Sequence, residues 1–234
     1  MFFELLIFFF LTFFSFISVT GYGTLLNLKH LKYKDNFFIY SFLGLLILVP
    51  LSFFSNVFTN VNNINFFILF FGICLFIYHF KKKEFIYIFI ICLFFFSGLL
   101  ISKTHEDFSV YHFQHINEIS DRYLKFGLAN LDIRYTYSSI FAYFQSIFIF
   151  PLLKFKAIFV PVYIIYMSLI GYLYLNIKNN KLTYISSFFL ILLIIKFKRL
   201  SEYGYDYIGQ FLLLFIFIEY IYYSNKKKIE YFEL

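Results

Sequence analysis

The sequence predicts an all-α fold, a polytopic bundle of transmembrane helices. Of its 234 residues, 62% are hydrophobic and only 14% are charged, whereas a soluble domain is about half apolar and a quarter charged. The mean hydropathy is +0.78. The apolar stretches are continuous rather than alternating with polar residues, which favours helices over a β-barrel.

Eight hydrophobic segments account for this prediction. A hydrocarbon core about 30 Å thick takes roughly 20 residues of helix, and the chain supplies such stretches one after another. The first has neither a basic flank nor a small-residue cleavage site, so we interpret it as a retained helix rather than a signal peptide. The segments run from Phe2 to Val19, Phe37 to Phe54, Phe66 to Phe80, Phe85 to Ile101, Tyr137 to Leu153, Ala157 to Leu175, Leu182 to Ile195 and Tyr207 to Tyr223.

The segments divide the chain into three regions. Residues 1–101 form an N-terminal membrane region of four helices. Residues 102–136 form a polar loop with an acidic motif, and residues 137–234 form a C-terminal membrane region with a second acidic motif.

The basic residues predict an orientation, because short loops rich in Lys and Arg stay in the cytoplasm. They follow segments one, three and five, which places the N-terminus and the 102–136 loop outside a bacterial inner membrane. The residues concerned are Lys29, Lys32 and Lys34, then Lys81 to Lys83, then Lys154 and Lys156. After segment five the lysines alternate sides, which indicates that one late segment is short, broken or re-entrant. If segments six and seven both span, Asp206 lies in the cytoplasm.

The long polar interruption between Ser102 and Tyr137 predicts an amphipathic helix on the outer membrane surface. Its apolar positions recur at spacings of three and four, and Gly127 is a suitable C-terminal stop. These positions are Phe108, Tyr111, His115 or Ile116, Ile119 and Tyr123.

Two acids, Glu106 and Asp107, open this stretch. Paired carboxylates can take a proton from a hydroxyl or hold a divalent metal against a phosphate. They also suit the first turn of a helix capped by Thr104, because the helix dipole favours negative charge there.

The other polar residues of the loop have simpler explanations. His105, His112, His115 and Glu118 form no closed zinc spacing, so hydrogen bonding is favoured over metal binding. The planar guanidinium of Arg134 suits a lipid phosphate, or a plain interfacial anchor. The net charge of +7 comes from lysines beside apolar runs, which indicates membrane topology and no nucleic-acid partner.

A second polar motif lies between two apolar segments, from Lys196 to Gln210. Its acids Glu202 and Asp206 adjoin a cationic cluster. Ionisable residues this close to a membrane are costly unless they are solvated or useful.

Three strings in this order resemble an uncharacterised family of bacterial polytopic membrane proteins related to GT-C glycosyltransferases. They are EDFSVYH at Glu106 to His112, GLANLDIRY at Gly127 to Tyr135 followed by two serines, and RLSEYGYD at Arg199 to Asp206. The resemblance covers roughly Ile101 to Tyr220. GT-C enzymes move a sugar from a polyprenyl-phosphate carrier to lipid-linked or surface acceptors on the outer face. These enzymes are typically longer than this chain, so the resemblance implies either such an enzyme or its N-terminal part.

The resemblance implies roles for specific residues. Asp107, with Glu106 beside it, would be the general base or the acid that binds a divalent metal ion, and Asp206 would be the second acid. Tyr111, His112, Arg134 and Glu202 would bind the substrate, with Arg134 or a cation stabilising the departing phosphate.

Two further hypotheses remain open. A non-catalytic membrane subunit, or a carrier or flippase-like protein for lipid-linked sugars, would bind such lipids or a membrane-protein partner without turnover. A small-solute transporter would show internal repeats and ionisable groups buried in the membrane. The sequence shows neither a convincing internal repeat nor a convincing buried charge.

Overall fold

The first four helices lie where the sequence predicts them. The computed structural model describes residues 2–26, 36–100, 108, 112–125, 127, 130, 139–150, 157–200 and 206–232, and these contain helices but no strand. The α-helices are α1 (Phe2–Gly23), α2 (Ile39–Phe58), α3 (Val61–His79), α4 (Lys82–Leu99), α5 (Phe113–Asp121), α6 (Ile140–Ser146), α7 (Val160–Lys178), α8 (Thr183–Lys196) and α9 (Asp206–Phe232). Two 3₁₀ turns, Thr24–Leu26 and Phe197–Arg199, extend α1 and α8.

Small residues let α1 pack closely against α2 and α3. A Cβ on Gly21 would lie 2.0 Å from the carbonyl oxygen of Gly72, and a Cβ on Gly44 would lie 1.8 Å from that of Val19. Helices in lipid associate by such close backbone approach, because the hydrophobic effect does not drive them together there.

The short helices α5 and α6 mark one end of the bundle. Near the start of α3, Asn65 Nδ2 donates to the carbonyl oxygen of Ile149, which follows α6, over 3.0 Å. At the other end, Asn36 Nδ2 donates to Asn176 Oδ1, near the end of α7, over 3.1 Å. We call the end that carries α5 and α6 the α5 end, and the opposite end, where α7 finishes, the Lys178 end.

Segment five does not cross the bundle, and the prediction that it spans the membrane is wrong. Of its described residues, 139–150, the seven of α6 are helical and a turn follows them. The chain enters α7 at the same end, because Gln145 Nε2 donates to the carbonyl oxygen of Ile158 over 3.1 Å. Three side chains of this run are fully buried against protein, those of Ala142, Phe144 and Phe148. The run is therefore apolar because it packs inside the protein, not because it faces lipid. Lys154 and Lys156, which the same prediction placed in the cytoplasm, lie outside the described residues.

Helices α7, α8 and α9 each run from one end of the bundle to the other. Where α7 begins, the ring of Phe159 stacks on Phe108 with 5.0 Å between centroids. After α8, Phe197 reaches the end of α4, 5.5 Å from the ring of Phe95. Helix α8 and its 3₁₀ turn together measure about 27 Å, close to the thickness of a bilayer core.

Five of the described helices are long and apolar enough to cross a membrane, namely α1, α2, α3, α7 and α9. Helix α4 has the length but begins with Lys82, Lys83 and Glu84, and α8 is shorter. The chain is therefore a multi-pass helical membrane protein. Since α6 does not cross, Lys178 and Lys181 lie at the same end of the bundle as Lys81 to Lys83. Lys196 and Arg199, which follow the crossing of α8, lie at the α5 end.

Candidate functional site

The amphipathic loop helix exists, but it ends earlier than predicted. Helix α5 begins at Phe113 and ends at Asp121, so Gly127 does not stop it. Gly127 instead has φ +86° in a turn beyond the helix. His115, Ile116 and Ile119 face the bundle as predicted, whereas Tyr123 is 62% exposed rather than part of the apolar face.

Side chains from the α2–α3 hairpin hold α5 in place. Asn56 Nδ2 donates to the carbonyl oxygens of Ile119 and Arg122, both over 2.8 Å. Asn62 Nδ2 donates to Asp121 Oδ1 over 2.6 Å. Because the last carbonyls of a helix have no partner within it, Asn56 serves as the C-terminal cap of α5 from another helix.

Asp206 lies at the α5 end, so the sequence-based count that placed it on the opposite side is wrong. Asp206 is the first residue of α9, and a Cβ on Gly209, less than one turn later, would lie 3.6 Å from the ring of Phe141 in α6. The carboxylate of Asp206 interacts electrostatically with His112, the residue that precedes α5. Segment five caused the error, because one false crossing reverses the side of every later segment.

His112 and His115 lie side by side beneath the surface of the α5 end. They are three residues apart, hence one turn of helix, and their exposures are 9% and 5%. Burial lowers the pKa of His115 to about 4, and the neighbouring charge of His112 adds to the shift. A buried imidazole therefore stays neutral here at the pH of most cellular compartments.

The low pKa of His115 predicts an acid-sensitive fold. Above about pH 6.5 the side chain is neutral in both states, whereas between about pH 6.5 and 4 only the unfolded chain binds a proton, which costs up to about 3 kcal/mol of stability. Thermal unfolding in detergent at about pH 7 and about pH 4 should show a larger loss for the wild type than for His115→Gln. The variant His79→Gln, at an exposed helix end, should keep the wild-type loss; equal losses in all three proteins would contradict the prediction.

A shallow polar groove of about 310 Å³ runs along the exposed face of α5. Its lining combines amide, carboxylate and guanidinium groups, which are the side chains that hydrogen-bond hydroxyl-rich ligands. It is lined by Gln114, Asn117, Glu118, Asp121 and Arg122. Within it, Arg122 Nη1 lies 3.3 Å from Glu118 Oε2.

Five of the site residues predicted from the sequence lie outside the described residues. They are Glu106, Asp107, Tyr111, Arg134 and Glu202. Phe108, which follows Asp107 in the chain, lies at the α5 end. Of the described site residues, His112 and Asp206 are brought together there. Among the described residues no three His, Cys, Asp or Glu side chains are grouped as metal ligands.

Sequence reasoning missed Glu219, a half-buried acid in α9 toward the Lys178 end. Its Oε1 accepts a 2.5 Å hydrogen bond from the hydroxyl of Tyr172, and it interacts electrostatically with Lys181. Its Oε2 is inaccessible and has no hydrogen-bond partner among the residues that the structure describes. The sequence did hold a signal, since this is the one acid inside segment eight.

The fold and the site define a multi-pass α-helical membrane protein with a polar, partly covered site at one end of the bundle. Comparisons with protein-family models, curated proteins and solved structures find no match.

Proposed function

We propose that this chain is a GT-C-like membrane glycosyltransferase, or the N-terminal part of one. It transfers a sugar from a polyprenyl-phosphate carrier to a lipid-linked or surface acceptor. The observation that supports the proposal is the position of Asp206, beside His112 at the α5 end. The acidic pair Glu106 and Asp107 directly precedes Phe108, which lies at that end.

The proposed reaction needs a base and a stabilised leaving group. A carboxylate, Asp107 with Glu106 beside it, takes the proton of the acceptor hydroxyl as its oxygen attacks the anomeric carbon. The bond from that carbon to the phosphate oxygen breaks, and the polyprenyl phosphate leaves with the electron pair, stabilised by Arg134. Asp206 is the second acid, and Tyr111, His112 and Glu202 bind substrate.

The charge distribution supports an orientation for this reaction. Lys81 to Lys83, Lys178 and Lys181 share the Lys178 end, whereas Lys196 and Arg199 lie at the α5 end. The positive-inside rule assigns the end with more basic residues, the Lys178 end, to the cytoplasm. The α5 end, the N-terminus and the 102–136 loop then face outward, in a bacterial inner membrane. In that orientation the polar groove of α5 is open to acceptors outside the cell membrane.

The deciding experiment measures sugar transfer in membrane vesicles that contain the protein, with a panel of polyprenyl-phosphate hexoses and pentoses as donors. We expect Asp107→Asn and Asp206→Asn each to reduce transfer by at least about a hundredfold, the lower range of what general acid–base groups contribute.

Asp121→Asn is the matched control, because Asp121 is an exposed acid at the same end whose contact is Asn62. It should keep transfer near the wild-type level. Undiminished transfer by Asp107→Asn and Asp206→Asn would refute the assignment. Donor binding without transfer by the wild type would favour the non-catalytic carrier instead.

A further inference from the structure

Two lysines from distant parts of the chain meet at one tyrosine at the Lys178 end. Lys178, the last residue of α7, donates from Nζ to the hydroxyl of Tyr87 in α4 over 3.0 Å. Lys83, one turn before Tyr87, has its Nζ 6.0 Å from the centre of the same ring, and Lys178 Nζ lies 5.6 Å from it. Both ammonium groups thus lie within 6.0 Å of the centre of one phenol ring, although the sequence keeps them far apart.

Among the described residues, no carboxylate pairs with either ammonium group, that of Lys83 or that of Lys178. The nearest acid in sequence, Glu84, accepts a hydrogen bond from the backbone nitrogen of Lys81 over 3.1 Å and so caps α4. Two like charges brought together repel each other, unless an anion lies between them.

The donors that remain match a phosphate group. An ammonium group has three N–H donors, and the Tyr87 hydroxyl takes one from Lys178, so two remain there beside those of Lys83. Tyrosines prefer the interface between lipid and water, the depth at which phospholipid phosphates lie. Basic pockets between transmembrane helices are a recognised way of binding anionic headgroups.

The surface next to the two lysines fits the rest of a lipid. Ile86 and Ile90, which flank Tyr87 on α4, are 45% and 43% exposed. An acyl chain can therefore lie along α4 toward the middle of the membrane while the headgroup stays at the lysines. A soluble anion would gain nothing from this apolar surface.

We propose that Lys83, Tyr87 and Lys178 form a binding site for the phosphate of an anionic phospholipid. The site does not depend on the proposed transferase activity, since it lies at the opposite end of the bundle. The lipid joins the start of α4 to the end of α7, two helices whose ends both carry positive charge.

Thermal unfolding of the full chain in detergent tests the proposal, with phosphatidylglycerol, phosphatidylcholine or inorganic phosphate added. We expect phosphatidylglycerol to raise the melting temperature in a saturable way, and the two other additives to have little effect. Lys83→Gln and Lys178→Gln should each weaken the apparent affinity about fivefold, since a lysine near an anionic lipid contributes about 1 kcal/mol. Tyr87→Phe keeps the ring but no longer orients Lys178. It should weaken the apparent affinity for phosphatidylglycerol less than either lysine variant does.

Two matched controls separate a defined site from diffuse basic charge. Lys82→Gln removes the same charge one residue away, where the helix points the side chain elsewhere. Lys196→Gln removes an exposed lysine at the end of α8. Both should bind phosphatidylglycerol as the wild type does.

Three results would overturn the proposal. If Lys82→Gln loses as much affinity as Lys83→Gln and Lys178→Gln, the basic surface attracts anionic lipid by its overall charge and not through a defined site. Unchanged affinity in both Lys83→Gln and Lys178→Gln would exclude these residues. Equal stabilisation by inorganic phosphate would identify a soluble anion as the ligand. If Lys178→Gln does not fold, Lys83→Gln alone decides, because Lys83 is exposed in the first turn of α4.

Discussion

Replacing Gly44 with alanine should destabilise the bundle by about 3 kcal/mol or more, the upper end of what overpacking costs. The new Cβ would lie 1.8 Å from the carbonyl oxygen of Val19 and 2.9 Å from its carbonyl carbon. Both atoms belong to the backbone of α1, so no side chain can turn aside to make room. The helices would have to separate, which would weaken the 2.8 Å hydrogen bond between Thr20 and Ser41.

Gly209→Ala is the control for this prediction, because it makes the same change in another membrane helix. There the Cβ would lie 3.6 Å from the ring of Phe141, an ordinary contact. Alanine is a better helix former than glycine by about 1 kcal/mol, so this variant should be as stable as the wild type or slightly more stable. Unfolding is measured by helicity in mixed micelles with rising dodecyl sulfate. Equal stability of the two variants would show that α1 and α2 are not packed this closely.

The first four helices could be predicted because hydropathy alone identifies a long apolar run between polar turns. The same criterion failed at segment five, because a run buried against protein and a run buried in lipid have the same composition. Polar residues within it, Gln145 and Ser146, together with Pro151, were the signals against a span. Proline removes a donor and disfavours helix in the residue before it.

The position of Asp206 shows how one local error spreads. A membrane topology is a count of crossings, so a single false span moved Asp206 to the wrong side while every later helix was itself found. The alternating lysines after segment five did not reveal this error, because α7, α8 and α9 all cross and Lys178 and Lys196 still lie at opposite ends of the bundle. Contacts between α9 and α6 decide the question, and these depend on tertiary packing that no local pattern contains.

Glu219 and Asn56 illustrate the part of the fold that sequence could not supply. Each is a single polar residue whose partner lies far along the chain, Tyr172 for Glu219 and the end of α5 for Asn56. A buried polar group must find a partner or bear the full cost of leaving water. Sequence can therefore show that a partner is required without showing which residue provides it.

Asn56→Ala should detach the C-terminal end of α5 and cost roughly 1 to 3 kcal/mol for the buried carbonyl of Ile119, with a smaller addition for the partly buried carbonyl of Arg122. The two carbonyls concerned, those of Ile119 and Arg122, share one amide group. The measurement is hydrogen exchange of the α5 amides by mass spectrometry in detergent, together with the melting temperature. Protection of α5 should fall sharply while that of α7 at the centre of the bundle persists.

Asn62→Ala provides the comparison, because Asn62 also binds α5 but from the exposed side. Its Nδ2 donates to Asp121, and its Oδ1 accepts from the hydroxyl of Ser120, both over 2.6 Å. Water can reach the Asp121 contact in the variant, so the loss of that contact should cost less than about 1 kcal/mol. The buried hydroxyl of Ser120 also loses its acceptor, but we expect the total to stay below the cost of Asn56→Ala. A larger effect of Asn62→Ala than of Asn56→Ala would mean that surface contacts, rather than the buried cap, hold α5 on the bundle. In that case the proximity of His112 and Asp206 would depend on the α2–α3 turn instead of on the end of α2.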